Sequence, residues 1–453
     1  MSSFVGPNLT YRWQIGLETD IGGSRENQDD CFVWIKKDAG LVVLCVLDGH
    51  GREVGKIASE SAKARLFKHL DDNYASLLED PTAFLIQAHE IAHTHIRDSF
   101  RAELERQGYE VVQTPEGYLM KRRQSADNWT CVHGGTSCSM VALVGSALYV
   151  ANVGDSTGVL CSTFGVFRPS QLTYLADAAV APELSRGNNS RGSNASSDGE
   201  GDTSSDSNSH NSEDTTLVLT AEHSPECPYE YQRLLRYRPR RDNPLIPALV
   251  VVYDANSHDK SRCSAVFERN AEGHLAVTNK GSYYKNVRKE WASLVSTPSY
   301  AAFQDALAFT RSLGDLHLHT YGVTHLPEVQ KIDLQAVFDL VQAQAEQAQA
   351  AEGVAGGAGE AKSLVQRMAE STLCLVLATD GVWDNWQYED VNKFVMDASC
   401  LNAVGGGVDG ARRVTISFMQ RNALYAKRNF GSNADNATAI VMYLSREESF
   451  PVL

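Results

Sequence analysis

Four short carboxylate-bearing segments, spread from Asp29 to Asp435, each set an Asp at one end of an apolar, strand-like run. They are Asn27-Gln28-Asp29-Asp30 before Cys31 to Ile35, Asp48-Gly49-His50-Gly51 after Leu41 to Leu47, Asp380-Gly381 after Leu373 to Thr379, and Asp435-Asn436 before Ala437 to Leu444. An apolar strand holds its terminal carboxylate rigidly. Several such carboxylates converging in one cleft repel one another unless hard divalent cations neutralise them. No soft-ligand cluster accompanies these segments, so the pattern favours Mg²⁺ or Mn²⁺.

Apolar periodicity gives the elements around them. Short strands are expected over 10 to 17, 28 to 35 and 41 to 47, the last fully apolar and so buried on both faces. A helix follows the Asp48 segment, with Val54, Ile57, Ala58, Ala62, Leu66, Phe67 and Leu70 at helical spacing, and a second helix covers about 81 to 105. Residues 137 to 144 and 147 to 153 read as a hairpin joined at Gly145-Ser146, with a further strand near Val159. Residues 409 to 444 read as a helix and then a terminal strand. The order fits an α+β sandwich.

A chain of 453 residues ordinarily holds two or three domains. Here the carboxylate segments span nearly all of it, so one domain over 10–446 is expected, with the excess length in insertions. The first, 183–216, is almost all Ser, Asn, Gly, Asp and Glu. It buries too little apolar surface to offset ordering and is expected to be disordered. Ser197-Asp198 and Ser212-Glu213 have the form of acidophilic kinase sites, although a solvated insertion is the simpler reading. The second, 225–305, carries a basic island of Arg233, Arg236, Arg238, Arg240, Arg241 and then Lys280 to Lys289, read either as a solvated face or as a grip on acidic substrate. The third, 334–360, is a Gln- and Ala-rich helix running into a Gly-rich linker.

A formal net charge of -15 argues against general binding to nucleic acid or anionic membrane, which depends on Lys and Arg neutralising phosphate. No apolar run approaches the ~20 residues of a membrane helix. The start, Met1 to Pro7, lacks a basic region and an apolar core, and Ser2 stands where myristoylation needs Gly, so a cytoplasmic or nuclear location is expected. Nine cysteines without a Cys-x-x-Cys pair read as reduced thiols.

The four Asp segments occur in order with Gly134-Gly135-Thr136-Ser137, Val153-Gly154-Asp155-Ser156, Leu219-Thr220-Ala221-Glu222-His223, Thr310 to Asp315 and Pro327-Glu328-Val329. In these residues the chain resembles the protein phosphatase 2C family of metal-dependent Ser/Thr phosphatases. The resemblance implies two facing antiparallel sheets flanked by helices on both outer faces, with the metal cleft at one sandwich edge. It implies hydrolysis of phosphoserine and phosphothreonine in phosphoproteins by water bridging two metals, with a monomer as the default state. By the same resemblance Asp48 bridges both metals, the Gly49 carbonyl ligates one, Asp380 and Asp435 complete the other, and Asp29 holds a metal through water. His50 stands where the family protonates the leaving alcohol, Asp155 and Asp384 match a weaker third metal position, and 225–305 corresponds to an enlarged flap. Asp315 is expected to stabilise its loop.

Three departures stand out. Ser24 sits where the family often has its phosphate-binding Arg, with Arg25 one residue late; Glu222 replaces the usual Asp, and Thr157 a common Arg. Arg25 is retained as a candidate phosphate ligand. A Cys-based phosphatase is disfavoured, because Cys227 to Arg233 and Cys263 to Arg269 have the spacing but no glycine between. The remaining rival is a catalytically silent phosphatase-like binding module.

Overall fold

The computed structural model describes residues 4–7, 11–125, 127–165, 167–177, 215–237, 248–257, 259–352 and 363–446. Most of the acidic insertion, Arg238, Arg240 and Arg241 of the basic island, and the Gly-rich linker lie outside the described residues.

Two six-stranded antiparallel sheets face each other. The first runs Phe4–Pro7, Tyr11–Asp20, Ala437–Arg446, Thr372–Ala378, Thr157–Cys161, Thr216–Val218; the second runs Leu172–Asp177, Glu328–Asp333, Ala147–Val153, Cys138–Val144, Leu41–Leu47, Asp30–Lys36. The first sheet thus joins strands from both ends of the chain. The period-2 pleat explains how its neighbours on either side are shared. Val42, Leu44 and Val46 enter the core between the sheets, while Leu41, Val43, Cys45 and Leu47 meet helices outside. In the same way Leu373, Leu375 and Leu377 point inward and Cys374, Val376 and Ala378 outward.

Helices cover both outer faces. Gly55–Glu79 and Pro81–Arg106 pack Leu66, Leu70, Phe84, Ile96 and Phe100 onto the second sheet. They turn at Asp80, whose carboxylate accepts from the Ala83 N–H at 3.0 Å ahead of Pro81 at the first helical position. Tyr388–Val395, Ala398–Gly405 and Gly410–Phe430 cover the first sheet, burying Trp383, Trp386 and Phe418. Each such side chain contributes about 1.5–3 kcal/mol on leaving water. The architecture is the expected four-layer α+β sandwich.

The stretch 225–305 is more than an enlarged loop. Strands Val250–Tyr253, Ser293–Ser296 and Ala306–Leu307 form a small sheet. Leu234, Val251, Tyr253, Val266, Phe267 and Val295 give it an apolar cluster of its own.

Register decides where the carboxylates go. Asp30 pairs with Leu47, Asp20 with Ala437, and Thr157 with Ala378, so the ends of these strands lie together at one edge of the sandwich.

Candidate metal centre

Asp48 follows directly on its buried strand. Its carbonyl accepts from the Ser137 N–H at 2.8 Å and its own N–H donates to Ser137 Oγ at 3.1 Å, while Ser137 Oγ and Ser156 Oγ are 2.7 Å apart. The Gly-Thr-Ser and Gly-Asp-Ser segments therefore clamp the Asp48 backbone. Gly49 is required by close approach: a Cβ there would lie 2.5 Å from the carbonyl oxygens of Gln28 and Gly55. Gly381 is likewise pressed against Asn436, whose carbonyl oxygen would be 1.9 Å from an added Cβ.

Asp29 is buried, and its Oδ2 accepts from Thr379 Oγ1 at 2.9 Å. Thr379 Oγ1 in turn accepts from the Thr438 N–H at 2.9 Å. The Asn residues of the motifs hold this corner: Asn27 Oδ1 accepts from the Asp29 N–H at 3.0 Å, and Asn436 Oδ1 from the Gln28 N–H at 2.7 Å. The structure so joins the first and last carboxylate segments of the sequence.

Carboxylate oxygens of Asp48, Asp155 and Asp380 all lie within 4.8 Å of one another. Burial raises the Asp48 pKa well above the carboxylate range, reinforced by the charges of Asp380, Asp29, Asp155 and Asp435. Asp380 is raised well above it for the same reasons, burial first and then Asp155, Asp384 and Asp435. Burial pushes Asp29 up to about 7. Asp435 stands at the exposed rim of the cluster. Asp384 lies one turn beyond Asp380, its N–H donating to the Asp380 carbonyl at 2.7 Å, and burial pushes it up to about 7 despite the nearby Lys285.

This donor set fits hard divalent cations. Asp29 Oδ1 and Asp155 Oδ1 are buried oxygens without a hydrogen-bond partner, the kind of donor that a bound cation satisfies. Asp155 thus lies among the carboxylates of the cluster.

His50 sits beside them with its Nε2 2.8 Å from Asp315 Oδ2 and its ring edge-on to Phe309. Burial acts to lower the His50 pKa, and the charge and hydrogen bond of Asp315 more than offset it, so the ring pKa is raised. Asp315 is held in the left-handed region at φ 44°, its N–H donating to the Gly134 carbonyl at 2.8 Å. Its role extends beyond the loop stabilisation expected of it. Arg25 is exposed on the turn before Asn27, and among the described residues no hydrogen bond or ion pair holds it.

Lys285 was hidden in the basic island. The hairpin that carries it docks on the carboxylate edge: the Val287 N–H donates to the Asp384 carbonyl at 3.1 Å, Gln387 Nε2 to the Val287 carbonyl at 2.9 Å, and Arg288 Nη1 to the Trp386 carbonyl at 3.2 Å. Burial acts to lower the Lys285 pKa, and Asp155, Glu290, Asp384 and Asp380 raise it overall. Among the described residues of the island, Lys280 pairs with Glu268 at 3.1 Å, Arg233 with Glu230 at 3.0 Å and Arg288 with Glu290 at 2.8 Å. The solvated-face reading therefore fails at Lys285 and Arg233. Nothing local in the sequence marks Lys285 as different from its neighbours.

A layered α+β sandwich with a carboxylate cluster at the strand ends defines the class of protein. Residues 42–195 match the family model Protein phosphatase 2C, so over this stretch the chain is similar to that family. The match ends before Asp380 and Asp435, whose place at the site comes from the fold. Comparison with curated proteins finds no match. Among solved structures the chain is similar to a serine-threonine phosphatase 2C from Toxoplasma gondii, at 15% identity over 98% of this chain and 99% of that one, with a TM-score of 0.48. It is also similar to a sex determining protein of C. elegans (13%, 95% and 64%, TM-score 0.46) and to the S. agalactiae serine/threonine phosphatase (14%, 95% and 98%, TM-score 0.40). Among the described residues no helix is long and apolar enough to cross a membrane.

Proposed function

We propose that the protein is a Mg²⁺- or Mn²⁺-dependent phosphoprotein phosphatase acting on phosphoserine and phosphothreonine, with one catalytic domain over residues 10–446. The observation that carries the reading is the convergence of Asp48, Asp155 and Asp380 within 4.8 Å, beside a His50 oriented by Asp315.

Asp48, the Gly49 carbonyl, Asp380 and Asp435 are the residues to hold two metals, with Asp29 behind them and Asp155 and Asp384 at a third position. When bound, such metals neutralise the phosphate dianion and lower the pKa of water. The chain's own part is orientation and proton supply. His50, with its pKa raised by Asp315, is positioned to hand a proton from its ring to the leaving serine or threonine oxygen. Phe309 against the ring limits its motion. Arg25, exposed on its turn, is free to meet the phosphate.

The test is hydrolysis of a phosphothreonine peptide and of para-nitrophenyl phosphate with Mn²⁺, with EDTA, and with Asp48→Ala or Asp380→Ala. Turnover that requires metal and is lost in both variants supports the reading. Absence of turnover by folded, metal-loaded wild type turns it into the silent binding module.

A further inference from the structure

A second donor cluster, made of softer ligands, lies beside the His50–Asp315 pair, where Asp305 acts on His50 and Asp315 on His133. Cys131, His133 and His317 each bring one donor atom to within 4.8 Å of the others. Asp305 adds a carboxylate: its Oδ2 is 2.8 Å from His133 Nδ1 and 3.4 Å from His317 Nδ1. We propose that Cys131, His133, His317 and Asp305 form a separate site for a zinc-class cation.

The donor chemistry selects the metal. A thiolate, two imidazoles and a carboxylate suit tetrahedral Zn²⁺, whereas Mg²⁺ and Mn²⁺ prefer all-oxygen sets such as the Asp cluster. Ligand atoms in a tetrahedral zinc site stand roughly 3.3–3.8 Å apart, by geometry from Zn–N of about 2.0 Å and Zn–S of about 2.3 Å, so a contraction of about 1 Å closes the Cys131, His133 and His317 triad, with Asp305 already against both imidazoles. Ring orientation favours convergence: the imidazoles of His133 and His317 cross at 84° with centroids 6.0 Å apart. The other histidine cluster of the fold contrasts with this. His93, His319 and His325 stack with interplanar angles of 14°, 9° and 6°, so their in-plane lone pairs run parallel and do not meet.

The surroundings match a structural metal site. Tyr118, Phe303 and Tyr321 pack edge-on around His317 at 5.0, 5.8 and 5.2 Å, forming an aromatic shell that fixes its ring. The His133 side chain is 40% exposed and gives the ion its path from solvent. Without metal, burial and the Asp305 charge push the Cys131 thiol up to about 12. Binding replaces the S–H bond by an S–Zn bond and releases that proton to solvent. The ion ties the strand Thr130–Cys131 to Asp305 and to His317, two residues beyond Asp315. It is thus a clasp on the partner of His50.

The probe is Co²⁺ added to metal-depleted full-length protein, followed by absorption. The expected result is a thiolate-to-cobalt charge-transfer band with tetrahedral d–d bands, bleached by Zn²⁺ and unaffected by Mg²⁺. The band disappears in Cys131→Ser. Asp48→Asn retains it, because carboxylates give no such band, so the outcome is independent of the phosphatase reading. A folded wild type without the band, or a band undiminished in Cys131→Ser, overturns the proposal. If Cys131→Ser does not fold, His133→Gln decides: loss of the tetrahedral d–d intensity supports the site, and an unchanged spectrum overturns it.

Discussion

His50 and Asp315, 265 residues apart in sequence, meet with Nε2 and Oδ2 at 2.8 Å. The carboxylate is buried and the imidazole half-buried, so their hydrogen bond fixes the ring at the carboxylate edge and favours its protonated form.

Asp315→Asn tests that relationship while tolerating the left-handed backbone, which Asn adopts readily. Without the negative charge, burial dominates and lowers the His50 pKa. The expected result is a fall in kcat of about 10²-fold, at the low end of what a positioned acid contributes, and a basic limb of the kcat profile moved to lower pH. Rate against pH at saturating Mn²⁺ is the measurement. An unchanged limb with lower kcat would leave Asp315 a purely structural residue.

The carboxylate cluster makes metal-free stability depend on pH in a defined direction. Asp29 titrates at about 7 in the fold and near 4 in an unfolded chain. Between those values the folded state holds more protons, so stability falls as pH rises through the window and the loss is complete above about 7. For Asp29 alone the cost reaches about 4 kcal/mol at most. Cation binding offsets this repulsion. Thermal unfolding should show a larger Tm gain from Mg²⁺ over EDTA at about pH 8 than at about pH 5.5.

Much of the framework was legible because strands with apolar runs cannot hide. Leu41–Leu47, Thr372–Ala378, the Gly145-Ser146 hairpin and both N-terminal helices stand where periodicity places them. The Asp segments were legible for the same reason, each being attached to such a strand. Strands Leu172–Asp177 and Glu328–Asp333 were missed because each is short and only partly buried, with pairing to distant partners supplying its stability. The Asp315 contact and the Lys285 approach were missed because neither residue differs locally from a loop charge; only tertiary pairing gives them meaning. Arg233 sat in a run of arginines, yet its guanidinium donates to the Gly322 and Thr310 carbonyls at 2.7 and 2.9 Å in the interior.

Lys285 supplies a fixed positive charge facing Asp155, Asp384 and Asp380, with Glu290 Oε2 at 3.7 Å on its other side. Lys285→Met removes that charge and keeps most of the stem. Asp155 and Asp384 then have fewer cations near them and gain affinity for a divalent ion. Calorimetric Mn²⁺ titration should show additional or tighter binding in the variant, with the excess lost again in Lys285→Met combined with Asp384→Asn. Identical isotherms for wild type and Lys285→Met would remove Lys285 from the metal centre.

Arg311 is fully buried in a charge network that fastens three elements far apart in sequence. Its Nη1 is 2.8 Å from Asp177 Oδ1 and its Nη2 is 3.2 Å from Glu328 Oε1, at strand ends, while its Nε donates to Glu230 Oε2 at 3.1 Å on the helix Pro228–Arg236. The network holds the guanidinium charged and keeps Glu230 well below the usual carboxylate range, against a burial penalty that acts the other way. Arg311→Met takes the guanidinium away from Asp177 and Glu328, and breaking a buried pair from one side costs about 3–5 kcal/mol. Arg311→Lys keeps a charge but loses the planar fork, so a smaller loss is expected. Urea midpoints at constant m-value order the three proteins: wild type highest, Lys next, Met lowest. Equal midpoints for Lys and Met would mean that fork geometry alone, not charge, holds the three elements together.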